Sequence, residues 1–320
     1  MLRRAWQTAM IGLARSRRVK HWVQQRRAAS DLATRYVAGA TAAAGVERAR
    51  SLLDAHGIRA SLFYLGEYVD SAGLVAENVA AKREIADLLG RAGLDVHVSV
   101  DPTQIGYALD PALARANLFA IAEAVARAAA ERHGVHALML DMEDDSVTDA
   151  TIGFHAALSA AGLPAALTLQ AYRRRTEADL LPLLRAGTRV RLVKGAFAAG
   201  SAIAFTRQGE IKANFRRLID LMLSPAARDA GFYPIIATHD HRLHAHALER
   251  AAAHGWKQGA YEFEMLLGVR GDVAAGLARR GERVRLYVPF GRDWWPHAVR
   301  RIGENPRNAW LLARSALSAT

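Results

Sequence analysis

From residue 56 onward, short apolar and β-branched runs alternate with longer stretches rich in Ala, Leu and Arg. The apolar runs predict eight strands: Arg59–Leu65, Asp95–Val100, His136–Leu140, Ala165–Ala171, Arg189–Val193, Tyr233–Thr238, Gly259–Phe263 and Val284–Val288. Between them, segments such as Pro111–His133, Glu177–Ala186 and His244–His254 carry helical composition and period. Strands that alternate with helices argue for a parallel sheet. Eight repeats over residues 56–320 match the size of a (β/α)8 barrel of the TIM type, an α/β fold. A doubly wound sheet is the competitor, but no Gly-x-Gly-x-x-Gly follows the first strand.

Ahead of the first strand the pattern changes. Trp6, Met10 and Leu13 recur at helical spacing, as do Val19, Trp22 and Val23. Nine Lys or Arg and one acid, Asp31, fall within residues 1–36. This reads as a basic amphipathic helical arm that packs on the body or rests on a membrane surface. No Pro/Gly/Ser-rich linker divides the chain, so the expected organisation is an arm over residues 1–55 and one barrel over 56–320. The closing helix is expected to complete the substrate pocket.

Composition narrows the classes. The 320 residues are 51% hydrophobic and 23% charged, an ordinary globular balance that excludes disorder. The net charge of +12 admits an anionic substrate, an anionic membrane face or nucleic acid, but no nucleic-acid recognition motif accompanies it. No apolar run approaches the ~18 residues of a membrane span, and the N-terminus lacks a secretory signal pattern. Zero cysteines exclude disulfides, a thiolate nucleophile and Cys-ligated metal. A cytoplasmic protein is the expectation.

Active sites of such barrels sit at the C-terminal ends of the strands. The predicted ends read Gly66-Glu67, Asp101, Asp141-Met142-Glu143, Gln170, Lys194-Gly195, Thr238-His239-Asp240, Glu264 and Tyr287. The carboxylates Asp141, Glu143, Asp144 and Asp145 could hold Mg²⁺ or could cap the next helix. His239, His241, His244 and His246 could bind a divalent metal, although the run enters a helix that spreads them over different faces. A metal-dependent barrel hydrolase or lyase is therefore one alternative, and the preferred reading keeps His239 alone as functional, with no metal. Arg300 and Arg301 offer two planar forks for a carboxylate, with Glu304 in reach of either; a solvated helix face is the plain alternative. Val190-Arg-Leu-Val-Lys-Gly-Ala-Phe197 sends two cations and a glycine out of a buried strand, which suits phosphates, an electron-rich ring or an internal salt bridge.

Together these motifs resemble the proline dehydrogenase family. The resemblance runs in order through Tyr64-Leu-Gly-Glu67, Leu140-Asp-Met-Glu143, Leu169-Gln-Ala-Tyr172 with Arg175-Thr176, Val190–Phe197, Ala237-Thr-His-Asp240, Tyr261-Glu-Phe-Glu-Met-Leu266, Tyr287-Val-Pro-Phe-Gly291 and Arg300-Arg301. It implies a distorted (β/α)8 barrel preceded by helices. It also implies FAD-dependent oxidation of L-proline to Δ1-pyrroline-5-carboxylate by hydride transfer to flavin N5. Electrons would pass to a quinone at a transient inner-membrane surface contact. The product would go to a separate pyrroline-5-carboxylate dehydrogenase, in the route from proline to glutamate. By resemblance, Arg191 sits near the flavin N5 edge with Asp141 as its partner. Gln170 contacts the isoalloxazine, Met142 lies beside it, and Val193, Lys194, Gly195 and Ala196 line the FAD. Thr238 and His239 hold its phosphate or adenosine portion. Arg300 and Arg301 grip the substrate carboxylate while Tyr287 packs on the proline ring.

Two positions depart from the resemblance. Asp101 stands where the family usually has a lysine for the substrate carboxylate, and Phe197 stands where it commonly has tyrosine. Both bear on the substrate, so a related cyclic imino acid such as hydroxyproline is the alternative substrate.

Overall fold

The computed structural model describes residues 35–66, 69–130, 132–294 and 297. In chain order these form α1 (Ala42–His56), β1 (Arg59–Tyr64), α2 (Ala72–Arg91), β2 (His97–Val100), α3 (Pro111–Ala129), β3 (Ala137–Leu140) and α4 (Thr148–Ala160). There follow β4 (Ala165–Gln170), α5 (Thr176–Arg185), β5 (Arg189–Val193), α6 (Gln208–Met222), α7 (Pro225–Asp229), β6 (Tyr233–Ala237), α8 (His241–Ala253), β7 (Glu262–Leu266), α9 (Gly271–Arg279) and β8 (Val284–Phe290). The eight strands close in sequence order into a parallel barrel, with β1 paired to both β2 and β8. The TIM-type fold read from the periodicity is the fold observed.

Strand alternation sorts the residues into two layers. Leu62, Val98, Val100, Leu138, Leu140, Leu167, Leu192, Ile236, Phe263 and Val288 face outward and join the helices in one large buried core. The inward positions are mixed. Ala137, Met139, Ala166 and Ile235 make a small separate apolar cluster inside the barrel, and polar side chains fill the rest. Toward the N-terminal ends of the strands, Arg285 is fully buried and donates to Glu262 (2.8 and 3.1 Å), Asp95 (2.8 Å) and the Ala60 carbonyl (2.9 Å). A buried guanidinium persists only when matched in this way. His97 Nδ1 lies 2.8 Å from Ser61 Oγ, and burial, reinforced by Arg285 and Arg191, holds the imidazole well below the usual histidine range.

Helix α1 ends at Gly57, whose φ of 67° permits the left-handed cap, and packs against β1 and β8. Most of the stretch expected as a basic arm, residues 1–34, lies outside the described residues. Seven strands match their predicted positions to within two residues at either end. The exception is β7, expected at Gly259–Phe263 and observed three residues later. Gly259 has φ 85° and belongs to a turn closed by Ala260 N–H donating to the Lys257 carbonyl, so the extended run begins only after it. The shift carries Glu264 from the expected strand exit to the interior of the barrel.

Candidate active site

The inward alternation of the strands converges at their C-terminal ends. Arg191, the third residue of β5, points into the barrel and is 4% exposed. Its guanidinium is fully engaged: Nη2 donates to Asp141 Oδ1, Nη1 to Glu264 Oε1 at 2.6 Å, and Nε and Nη2 to Thr168 Oγ1 at 3.0 and 2.9 Å. Asp141, the first residue past β3, receives a second hydrogen bond on Oδ2 from the Tyr287 hydroxyl at 2.8 Å. The Tyr287 ring lies 5.4 Å from the Arg191 guanidinium carbon, and the Phe63 ring packs on the Tyr287 ring with centroids 5.3 Å apart. Four strands thus fix one cation, two carboxylates and a phenol in a single network. Burial pushes the Glu264 carboxyl up, and Arg191 pulls against it.

Gln170 closes the next sector. Its Nε2 donates to the carbonyls of Met142 (2.7 Å) and Glu143 (3.0 Å), which uses both amide hydrogens and sets the side chain. Its Oε1 makes no hydrogen bond among the described residues. Past β5, Lys194 and Ala196 are exposed and Gly195 is half-buried. Gly195 takes φ 97°, and a Cβ there would collide with the Tyr172 ring, so the backbone runs against that ring as only glycine allows. Tyr172 N–H donates to the Lys194 carbonyl at 3.0 Å and pins the same turn.

On the far side, Thr238 Oγ1 accepts from Asp240 N–H (3.1 Å), Asp240 caps α8, and His239 Nε2 accepts from Leu266 N–H (3.4 Å). The other histidines of the run scatter as their helical spacing predicts. His244 is buried with Nε2 2.9 Å from the Thr238 carbonyl, whereas His246 pairs with Asp220 at 2.7 Å. Among the described residues no group of three or more His, Asp or Glu side chains is arranged to hold a metal ion.

Asp101 continues the inward series His97, Ser99 beyond β2 and stands at the rim. The turn after it, Pro102–Ile105, is tied to Glu143, which accepts from Thr103 N–H (3.0 Å) and Oγ1–H (2.6 Å). Burial first, and then the Asp101 charge, push Glu143 up to about 7. Met142, Val193 and Phe197 occupy the same mouth, the first buried and the last exposed. Arg300, Arg301, Glu304 and Glu67 lie outside the described residues.

Two buried side chains near the mouth were given no role by the sequence. Glu264 was read only as a strand exit, and the later start of β7 turns it inward as a partner of Arg191. Lys82 sits on α2 within the buried stripe Val75, Asn78, Val79, Ile85, Ala86, Leu89, and its helical spacing was the signal that could have found it.

The family model for proline dehydrogenase matches residues 46–314. The proline dehydrogenase of Deinococcus radiodurans is 31% identical over 319 residues, 99% of either chain. Proline dehydrogenase 1 of Bacillus subtilis is 32% identical over 288 residues, covering 89% of this chain and 90% of its own. Among solved structures, proline utilization A from Bdellovibrio bacteriovorus superposes with a TM-score of 0.75 at 20% identity, over 91% of this chain and 34% of that one. Proline utilization A from Corynebacterium freiburgense gives 0.72 at 23% identity, over 98% and 34%. The chain therefore spans about a third of the length of those solved chains, and that likeness is one of fold.

Proposed function

The chain belongs to the proline dehydrogenase family, and from that premise we propose that it oxidises L-proline to Δ1-pyrroline-5-carboxylate with bound FAD. The observation that carries this reading is the convergence of Asp141, Arg191, Gln170 and Tyr287 at the C-terminal mouth of the barrel. The residues present fit a flavin. The Gly195 backbone runs flat against Tyr172 and leaves an open ledge at Lys194 and Ala196, and the Gln170 Oε1 remains available to a ring N–H. Met142, Gln170, Val193, Lys194, Gly195 and Ala196 would hold the ring system, with Thr238 and His239 toward the phosphate or adenosine end. Bound there, FAD would supply the two-electron acceptor for a hydride from the substrate, with a quinone as the eventual electron sink.

The protein supplies position and charge. Arg191 is a fixed cation whose orientation is set by Asp141, Glu264 and Thr168, so it needs no reorganisation during turnover. Tyr287 presents its ring to the mouth while its hydroxyl is spent on Asp141, which makes the ring a rigid wall for a five-membered imino acid. Arg300 and Arg301 would take the substrate carboxylate, which leaves the ring carbon on the far side of the nitrogen as the reacting centre. That carbon loses hydride, the amine nitrogen loses a proton, and the C=N bond forms between them. The residues 1–36 would dock transiently on an anionic membrane surface to reach the quinone, and a separate dehydrogenase would consume the product.

The test is product identity. The FAD-loaded protein given L-proline and a soluble quinone is expected to form a cyclic imine that an aromatic amino-aldehyde traps as a coloured adduct. Quinone reduction by hydroxyproline but not by proline would move the substrate to the related imino acid.

A further inference from the structure

Arg191 carries one charge and faces two carboxylates, so the cation at the mouth is matched more than once. The two acids are not equivalent. Asp141 stands at the rim, its side chain 13% exposed, and shares its charge with the Tyr287 hydroxyl. Glu264 lies deeper. It pairs in register with Arg285, one inward position below Tyr287, and its side chain is 3% exposed. Its register partner on the other side is Ala237, which brings no charge. Arg285 is spent on Glu262, Asp95 and the Ala60 carbonyl. The hydrogen bond that Glu264 makes among the described residues is therefore the one it accepts from Arg191.

The charge state of Glu264 follows from its two oxygens. Oε2 is buried and has no hydrogen-bond partner among the described residues. Either protonation state leaves that atom unbonded, but only the anion gains the full attraction of a guanidinium 2.6 Å from Oε1. That attraction works against the burial that pushes this carboxyl up. A carboxylate held behind Arg191, where no water screens it, subtracts from the positive field that Arg191 sends into the mouth. The loss is felt by any group there that becomes more negative during turnover.

We propose that Glu264 is a positioning residue for electron transfer: acting through Arg191 from inside the barrel, it weakens the pull of that cation on a reduced flavin, so that electrons taken from the substrate are passed on. The inference rests on the reading that the mouth binds FAD beside Arg191. Glu264 touches neither substrate nor flavin.

The midpoint potential of the bound flavin, read by anaerobic equilibration with a reference dye, tests this apart from turnover. E264Q keeps an acceptor for Nη1 and removes the charge. It is expected to favour the reduced flavin about tenfold over wild type, which for a two-electron couple is about 30 mV more positive. E264D keeps the charge but withdraws it by one methylene, and is expected to give a smaller rise of about threefold. A packing defect would rank the two variants the other way, because aspartate leaves the larger gap. A potential that is unchanged or more negative in E264Q, or a larger shift in E264D, overturns the proposal. Should E264Q fail to fold, E264D alone decides: a rise supports the role and no rise contradicts it. A wild-type protein that retains no FAD after reconstitution removes the flavin reading and this inference together. Bound FAD that proline does not reduce, with the potentials ordered as expected, removes the assigned substrate and leaves the role of Glu264 standing.

Discussion

Arg191 and Glu264 stand 73 residues apart in the chain and meet inside the barrel through an Nη1-to-Oε1 hydrogen bond of 2.6 Å. Both are almost wholly buried, so replacing either takes a charge partner from a dry interior. E264A is expected to lower stability by about 3 kcal/mol, since Asp141 alone remains for the guanidinium. E264Q keeps the volume and one acceptor and is expected to cost about 1 kcal/mol. Urea unfolding of the two variants checks the ranking; an E264A protein as stable as wild type would show the pair to be inert.

Tyr287 separates position from packing. Y287F keeps the ring against Phe63 and Arg191 but removes the 2.8 Å hydrogen bond to Asp141. Asp141 then has one fewer tether, and kcat/KM for proline is expected to fall about tenfold with a stability loss of only about 1 kcal/mol. Steady-state kinetics beside a melting curve distinguish this from a global defect.

Gly195 tests the proposed flavin ledge. G195A places a Cβ at φ 97° against the Tyr172 ring. The turn must shift, at a cost of roughly 1–3 kcal/mol in local strain, and FAD affinity is expected to drop at least about tenfold. Fluorescence titration of the apoprotein with FAD reads this directly. Unchanged affinity would place the flavin elsewhere.

Glu143 predicts a pH dependence of stability. Its carboxyl is raised from 4.5 to about 7 by burial and by Asp101. The folded protein therefore binds this proton more tightly than the unfolded chain does. The associated stabilisation is complete below the unfolded value and is lost as pH rises toward 7. In E143Q that slope is expected to vanish between about pH 4.5 and 7. Denaturant midpoints measured across this range check it, and parallel pH profiles for the two proteins would contradict it.

Periodicity made the barrel legible because parallel strands buried on both faces read as continuous apolar runs, and the helices between them carry a different period. It also put Asp141, Gln170 and Tyr287 at strand ends and Arg191 within β5, and alternation turns all four inward. The pairing of Glu264 with Arg191 was not legible because Tyr261–Leu266 holds two glutamates in an apolar run, and only the turn at Gly259 fixes which strand position each one takes. Lys82 escaped for another reason. Lysine on a helix reads as solvent-facing, and its place in the buried stripe of α2 becomes telling only once Gln104 is seen beside it. The second carboxylate on Arg191 and the acceptor for Lys82 are both contacts between distant segments. No local pattern encodes such contacts.

If this mouth oxidises proline with a flavin, as proposed, anaerobic mixing of the FAD-loaded protein with L-proline will reveal it. The bound-flavin absorbance is expected to bleach on adding proline and to return on adding a quinone. In R191M, which strips the fixed cation from the network, bleaching is expected to slow by at least about a hundredfold. A flavin spectrum that proline leaves unchanged in the wild-type protein would rule out proline as the substrate of this site.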